Sequence, residues 1–114
     1  MAINLNEERP EVQQKGSRAN FRWTLSEAWD EKRLAAFLMT KHRRNDEDWT
    51  RRTSPFYASL GRTAIECSVP LAEPGSLAEL ERLLTIELKG ILAGASRVHE
   101  EMIRGKDWRK VTPP

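Results

Sequence analysis

The feature that most constrains this fold is a long run of apolar residues at helical spacing in the C-terminal third. At 100° per residue, these residues fall on one broad stripe: Leu77, Leu80, Leu84, Leu88, Ile91, Ala95, Val98 and Met102. Ser76 and Glu79 have the spacing of a capping box, and Gly105 is suited to end a helix. The sequence therefore predicts an amphipathic helix over 76–104, whose apolar side must be covered by other elements.

Length and composition limit how much structure can surround this helix. With 114 residues, the chain has room for one compact domain. Hydrophobic residues make up 39% and charged residues 32%, which excludes a collagen, a disulfide scaffold and a wholly disordered chain. We expect a compact domain over 20–105, with a polar N-terminal arm over 1–19 and a basic C-terminal tail over 106–114.

Cysteine usage and the first residues indicate the compartment. Cys67 is the only cysteine, so neither an intramolecular disulfide nor a thiolate metal cluster can form. The first residues lack the basic and apolar regions of a signal peptide. The apolar stretch 83–98 is interrupted by Glu87, Lys89 and Arg97, so it cannot span a bilayer. We therefore expect a soluble cytoplasmic protein without a membrane partner.

Two segments show the alternation of a half-buried strand. One face of segment 62–69 carries its apolar and β-branched residues: Thr63, Ile65, Cys67 and Val69. Segment 20–25 also alternates, although it could instead lead into the following helix. For segment 62–69, the alternative to a strand is a helix that continues through Ile65.

Two further helices are predicted between these segments. Ser26 is suited to cap a helix over 26–43, in which apolar residues recur at helical spacing: Trp29, Leu34, Phe37 and Leu38. Ser54 and Pro55 have the pattern of a helix start, and Gly61 is placed to end that short helix.

Together these segments predict the fold class. We expect a mainly α protein, a small helical domain with one long C-terminal helix. The alternative is an α+β protein in which 20–25 and 62–69 pair as a short two-stranded sheet, because both segments alternate with the period of a strand.

Motifs that would indicate an enzyme are absent from the sequence. It contains no zinc-binding HExxH, no nucleophile elbow and no phosphate-binding glycine loop. His99 and Glu87 lie on or beside the apolar stripe, but twelve helical residues, about 18 Å, separate them. They cannot form an acid–base pair within one chain. We expect a partly exposed His99 and a buried Cys67, and the sequence predicts no catalytic residue, metal or cofactor.

Four tryptophans are many for a chain of this length. Trp29 has the spacing of a core residue, whereas charged or polar neighbours flank the other three: Trp23, Trp49 and Trp108. Because tryptophan is enriched at interface hot spots, we expect at least one of these three to contact a partner.

The predicted helix over 76–104 has further features of an interface. Gly90 and Gly94 each cost the helix roughly 1 kcal/mol relative to alanine, which close packing of a second helix can offset. Ile86 and Ile103 lie off the main stripe, so apolar groups face more than one side. We expect a homodimer or a complex with another protein to cover them.

A basic segment over 41–52 supports a rival interpretation. Its five cations could contact phosphates: Lys41, Arg43, Arg44, Arg51 and Arg52. Trp49 could stack on a base. Three acidic residues within the segment reduce its net charge to +2, which favours a solvated, self-paired surface.

These observations favour a non-catalytic protein that acts by binding other proteins, as an adaptor, regulator, inhibitor or accessory subunit of a larger assembly. Self-association through residues 76–104 is the expected mode. The alternative is a nucleic-acid-binding regulator that uses the arginine-rich segment 41–52.

Overall fold

The computed structural model describes residues 3–7, 9–47, 56–71 and 77–105, without the side chains of 43–47. The elements follow the chain in this order: β1 (Glu11–Lys15), β2 (Arg18–Thr24), α1 (Glu31–Glu47), β3 (Phe56–Ala58), β4 (Ala64–Pro70) and α2 (Leu77–Ile103). The four strands form one antiparallel sheet in the spatial order β1-β2-β4-β3. The prediction of a mainly α protein is therefore wrong, and the fold is α+β.

Strands β2 and β4 form the centre of this sheet. Phe21 of β2 faces Cys67 of β4, and Trp23 faces Ile65. All four side chains are buried, while the residues between them point to the other face of the sheet. The predicted pairing of 20–25 with 62–69 is confirmed, but it accounts for only half of the strands.

The outer strands β1 and β3 were not predicted, because neither has a readable hydrophobic pattern. All five residues of β1 are exposed. Strand β3 has three residues, of which Phe56 is buried and Tyr57 exposed. The short helix predicted over 54–60 is wrong for residues 56–58, while Ser54 and Pro55 lie outside the described residues.

The N-terminal segment predicted as an arm contributes to the fold where it is described. Lys15 faces Arg18 across a two-residue hairpin turn, and Gly16 takes a φ of 59°, which suits glycine at the first turn position. Further towards the N-terminus, Leu5 pairs with Leu25 and Ile3 is buried in the core.

Helix α1 begins later than predicted because a different residue caps it. The Asp30 carboxylate accepts a hydrogen bond from the backbone N–H of Arg33 at 2.7 Å, which is the geometry of an N-cap. Ser26, the predicted cap, instead donates its backbone N–H to the Asn4 carbonyl at 3.1 Å.

The predicted C-terminal helix is confirmed as α2, which packs against α1. The core lies between the helices and one face of the sheet. From α2 it takes the following buried apolar residues: Leu88, Ile91, Leu92, Ala95 and Val98. Trp29 joins this core as predicted; its ring lies 5.1 Å from that of Phe37, and its Nε1 donates to the Ala64 carbonyl at 3.1 Å.

Candidate interaction surfaces

Trp23, one of the predicted interface residues, lies in the centre of the core. Its ring stacks on Phe21 at 5.9 Å between centroids and meets Phe56 edge-on at 5.7 Å. Its indole Nε1 donates to the Thr85 hydroxyl of α2 at 3.3 Å. In this position Trp23 offers no surface to a partner. The predictions for Trp49 and Trp108 lie outside the described residues.

The solvent side of α2 carries an apolar stripe of its own. Its members recur at spacings of three and four residues, and we call them the α2 outer stripe: Leu83, Ile86, Gly90 and Ala93. Leu83 is 50% exposed and Ile86 57% exposed. Arg82 and Lys89 lie beside the stripe on the same helix and are exposed. This surface contains two of the predicted interface residues, Ile86 and Gly90.

The other two predicted interface residues of α2 lie elsewhere. Gly94 is buried within the chain, on the side of α2 that faces the core. Ile103 is 63% exposed at the C-terminal end of the helix. Gly94 is thus surrounded by this chain's own residues, whereas Gly90 is half-buried at the surface.

The sheet face opposite the helices is polar and open. Glu11, Arg22, Glu66 and Tyr57 form one row across all four strands. Within this row, Arg22 Nε lies 3.9 Å from Glu66 Oε1, and both side chains are more than half exposed. The row borders a shallow depression of about 500 Å³. The charges alternate along this row, so the row itself carries no excess of cations.

Lys41 belongs to the basic segment but has partners within the protein. Its Nζ donates to the Phe56 carbonyl at 2.7 Å and lies 5.1 Å from the centre of the Tyr57 ring. Partial burial lowers the pKa of Lys41. Lys41 thus closes the β3 edge of the sheet and is only half-exposed.

The side chains of the remaining cations of the basic segment lie outside the described part of the chain. Arg43 and Arg44 lie in α1, and only their backbone is described. Arg51 and Arg52 fall outside the described residues. Their predicted role in binding nucleic acid stays a prediction.

The two groups most suited to catalysis are both buried. Burial raises the pKa of the Cys67 thiol to about 12, so it is not a nucleophile at neutral pH. His99 is 4% exposed, which corrects the expectation of a partly exposed side chain. Burial lowers its pKa, and its Nδ1 has no hydrogen-bond partner in the described part of the chain.

The described ranges contain no group of three or more His, Cys, Asp or Glu side chains that could hold a metal ion. Neither α1 nor α2 is long and apolar enough to cross a membrane.

Neither the surface position of Leu83 nor the β1 edge was predicted from the sequence. A signal existed for each. Leu83 lies three residues before Ile86, which places the two on one helix face. Gly16-Ser17 is a two-residue hairpin signal directly before the alternating strand β2.

Comparisons with protein-family models, with curated proteins and with solved structures found no match to this chain.

Proposed function

We propose that this chain is a non-catalytic protein that acts by binding other proteins, as an adaptor, regulator, inhibitor or accessory subunit of a larger assembly. The observation that carries this proposal is the α2 outer stripe. A surface helix normally presents polar residues to solvent, whereas α2 presents Leu83 and Ile86 there.

The chemistry of the stripe suits a helix or another apolar surface of a partner. Gly90 and Ala93 are small, so a partner backbone can approach α2 closely at these positions. Burying the exposed half of Leu83 and of Ile86 would contribute roughly 1 kcal/mol each. Lys89 borders the stripe and would favour a partner with an acidic group at its rim, whereas Arg82 is already paired with Glu79 of the same helix.

Self-association through α2, predicted from the sequence, belongs to this same surface. The opposite side of the helix fills the core, so a second copy could reach only the solvent side. A second copy and a different protein are therefore the two occupants that the experiment has to distinguish.

The test compares Ile86→Arg with Ile103→Arg, because both isoleucines are exposed on α2 but only Ile86 belongs to the stripe. Light scattering after size-exclusion chromatography reports self-association. Quantitative affinity purification from the source organism reports other partners. We expect Ile86→Arg to lose the partner that the wild type and Ile103→Arg retain.

Equal recovery of the same partners by Ile86→Arg and Ile103→Arg would contradict the proposal. The absorbance ratio at 260 and 280 nm in the same chromatography tests the rival prediction. Co-eluting nucleic acid that high salt removes would favour the arginine-rich segment as the binding site.

A further inference from the structure

Strand β1 is an open edge of the sheet. It is the outermost strand, its five residues are exposed, and it contains neither proline nor a bulge. Such an edge presents backbone donors and acceptors to solvent and can pair with another strand.

The opposite edge of the same sheet is protected. Strand β3 has only three residues, and the Lys41 ammonium donates a hydrogen bond to the Phe56 carbonyl. A short strand and a side chain bonded to an edge carbonyl both hinder pairing with a further strand. Of the two edges of this sheet, β1 is therefore the open one.

The backbone of β2 shows which groups of β1 face outwards. The Leu25 N–H donates to the Thr63 carbonyl next to β4, so the odd-numbered residues of β2 point their backbone groups at β4. On the other side, the Asn6 N–H donates to the Thr24 carbonyl, so the even-numbered residues point towards β1. The two sets alternate, as an antiparallel ladder requires.

The register of β1 then assigns its own backbone groups. Glu11 faces Arg22 and Gln13 faces Asn20, both even-numbered residues of β2. The odd-numbered residues of β1 therefore bond to β2. Val12 and Gln14, which lie between them, direct their N–H and C=O groups to the open edge.

We propose that β1 pairs antiparallel with β1 of a second copy, about a two-fold axis at Gln13. Val12 of each copy then lies opposite Gln14 of the other, and each pair exchanges two backbone hydrogen bonds. The two four-stranded sheets become one continuous eight-stranded sheet. This surface is separate from the α2 outer stripe, so the proposal does not rest on the proposed function.

The charges at the ends of β1 are complementary in this register. Glu11 of each copy lies opposite Lys15 of the other, at non-hydrogen-bonded positions where cross-strand side chains approach most closely. A parallel pairing would instead place Glu11 opposite Glu11 and Lys15 opposite Lys15. An antiparallel shift by two residues would separate both ion pairs.

The neighbours of Lys15 within its own chain add to this preference. Lys15 faces Arg18 across the hairpin, which brings two like charges together. A carboxylate from the second copy on the other side of Lys15 offsets that repulsion. The contact is small, so we expect a monomer–dimer equilibrium that depends on protein concentration.

Oxidative cross-linking tests the register directly. About the proposed axis, the two Gln13 Cα atoms lie about 4.5 Å apart, within the range of a disulfide. The two Lys15 Cα atoms lie four residues apart along the strands, about 14 Å. We expect Gln13→Cys to form a disulfide-linked dimer under conditions in which Lys15→Cys stays monomeric. The buried Cys67 contributes little background.

Cross-linking of Gln13→Cys no greater than that of Lys15→Cys would overturn the proposal. A charge exchange provides a second test in reduced, unlinked protein. Glu11→Lys and Lys15→Glu should each raise the dimer dissociation constant several-fold in sedimentation experiments. The double variant should restore the wild-type value, and the two single variants mixed together should form a heterodimer.

The charge exchange also separates this contact from the α2 outer stripe. Ile86→Arg should leave the β1 dimer intact, whereas dissociation by Ile86→Arg alone would assign self-association to α2 and overturn the proposal. Failure of the double variant to recover association would overturn it as well. Circular dichroism of each variant shows whether the fold is kept.

Discussion

At the scale of the residue, His99 is a group whose charge the fold controls. It is buried on α2, and the charged groups that act on it come from α1 and its N-cap as well as from its own helix. Arg33 and Lys32 oppose its protonation, whereas Asp30 and Glu100 favour it. Burial is the largest influence and lowers the pKa, so His99 is neutral in the folded protein at neutral pH.

This lowered pKa makes stability depend on pH. As the pH falls through about 6.5, His99 of the unfolded chain takes up a proton before the folded chain does. The unfolded state then binds more protons, so the free energy of unfolding decreases below this pH. Between pH 8 and pH 5, we expect His99→Gln to lose less of its free energy of unfolding than the wild type does, as measured by urea denaturation. An equal loss in both proteins would contradict the role of His99.

At the scale of the element, the start of α1 shows how tertiary contacts select a helix cap. The sequence predicts Ser26 as the cap, because apolar residues at helical spacing follow it, whereas Asp30 is the cap in the structure. Backbone contacts decide which residue caps the helix. The Ser26 N–H donates to the Asn4 carbonyl, whereas the Asp30 carboxylate accepts from the Arg33 N–H.

Removing this cap gives a second prediction. Asp30→Ala leaves the Arg33 N–H without its side-chain acceptor, so we expect a loss of about 1 kcal/mol in the free energy of unfolding. Asp30→Asn keeps an acceptor at the same position and should lose less than half of that. Urea denaturation measures both variants. A loss for Asp30→Asn as large as for Asp30→Ala would show that the charge, and not the cap, stabilises this end.

At the scale of the whole molecule, Ile3 near the N-terminus belongs to the core. Ile3 is buried, and its backbone N–H donates to the Ser96 hydroxyl of α2 at 3.3 Å. Arg9 Nη2 lies 3.3 Å from Oε2 of Glu81, which is a residue of α2. The Arg9 side chain is exposed, so this ion pair adds little stability. Burial of Ile3 therefore contributes most to holding this segment on α2.

A matched pair of substitutions measures this contribution. Ile3→Ala removes buried methyl and methylene groups, so we expect a loss of about 2–4 kcal/mol in the free energy of unfolding. Ile103→Ala makes the same chemical change at an exposed position and should alter stability by less than about 0.5 kcal/mol. Thermal and urea unfolding report both values. Similar small losses would place Ile3 outside the cooperative fold.

The two proposed contact surfaces would work independently in the assembled protein. The β1 edge lies at the border of the sheet, whereas the α2 outer stripe lies on the solvent side of the helical layer. A dimer formed through β1 leaves both outer stripes exposed. Each protomer of such a dimer therefore has a surface for a further partner.

Long periodic segments were predictable from the sequence, and short or fully exposed ones were not. Helix α2 and strand β4 were predicted because each buries one face along most of its length, which imposes a visible period. Strand β1 buries no side chain and β3 has three residues, so neither imposes one. The surface position of Ile86 was predicted from its place off the apolar stripe. Trp23 was wrongly predicted to contact a partner, because its polar neighbours in the sequence are the outward-facing residues of a strand.

The sequence by itself determined the long C-terminal helix and the alternating pattern of the two central strands, because local hydrophobic periodicity specifies each of them. Only the tertiary structure decided the number of strands, the burial of Trp23, His99 and Gly94, and the exposure of the β1 edge. Those features depend on which backbone groups and which faces come together between distant segments. Apart from the hairpin signal at Gly16-Ser17, no local pattern along the chain records that information.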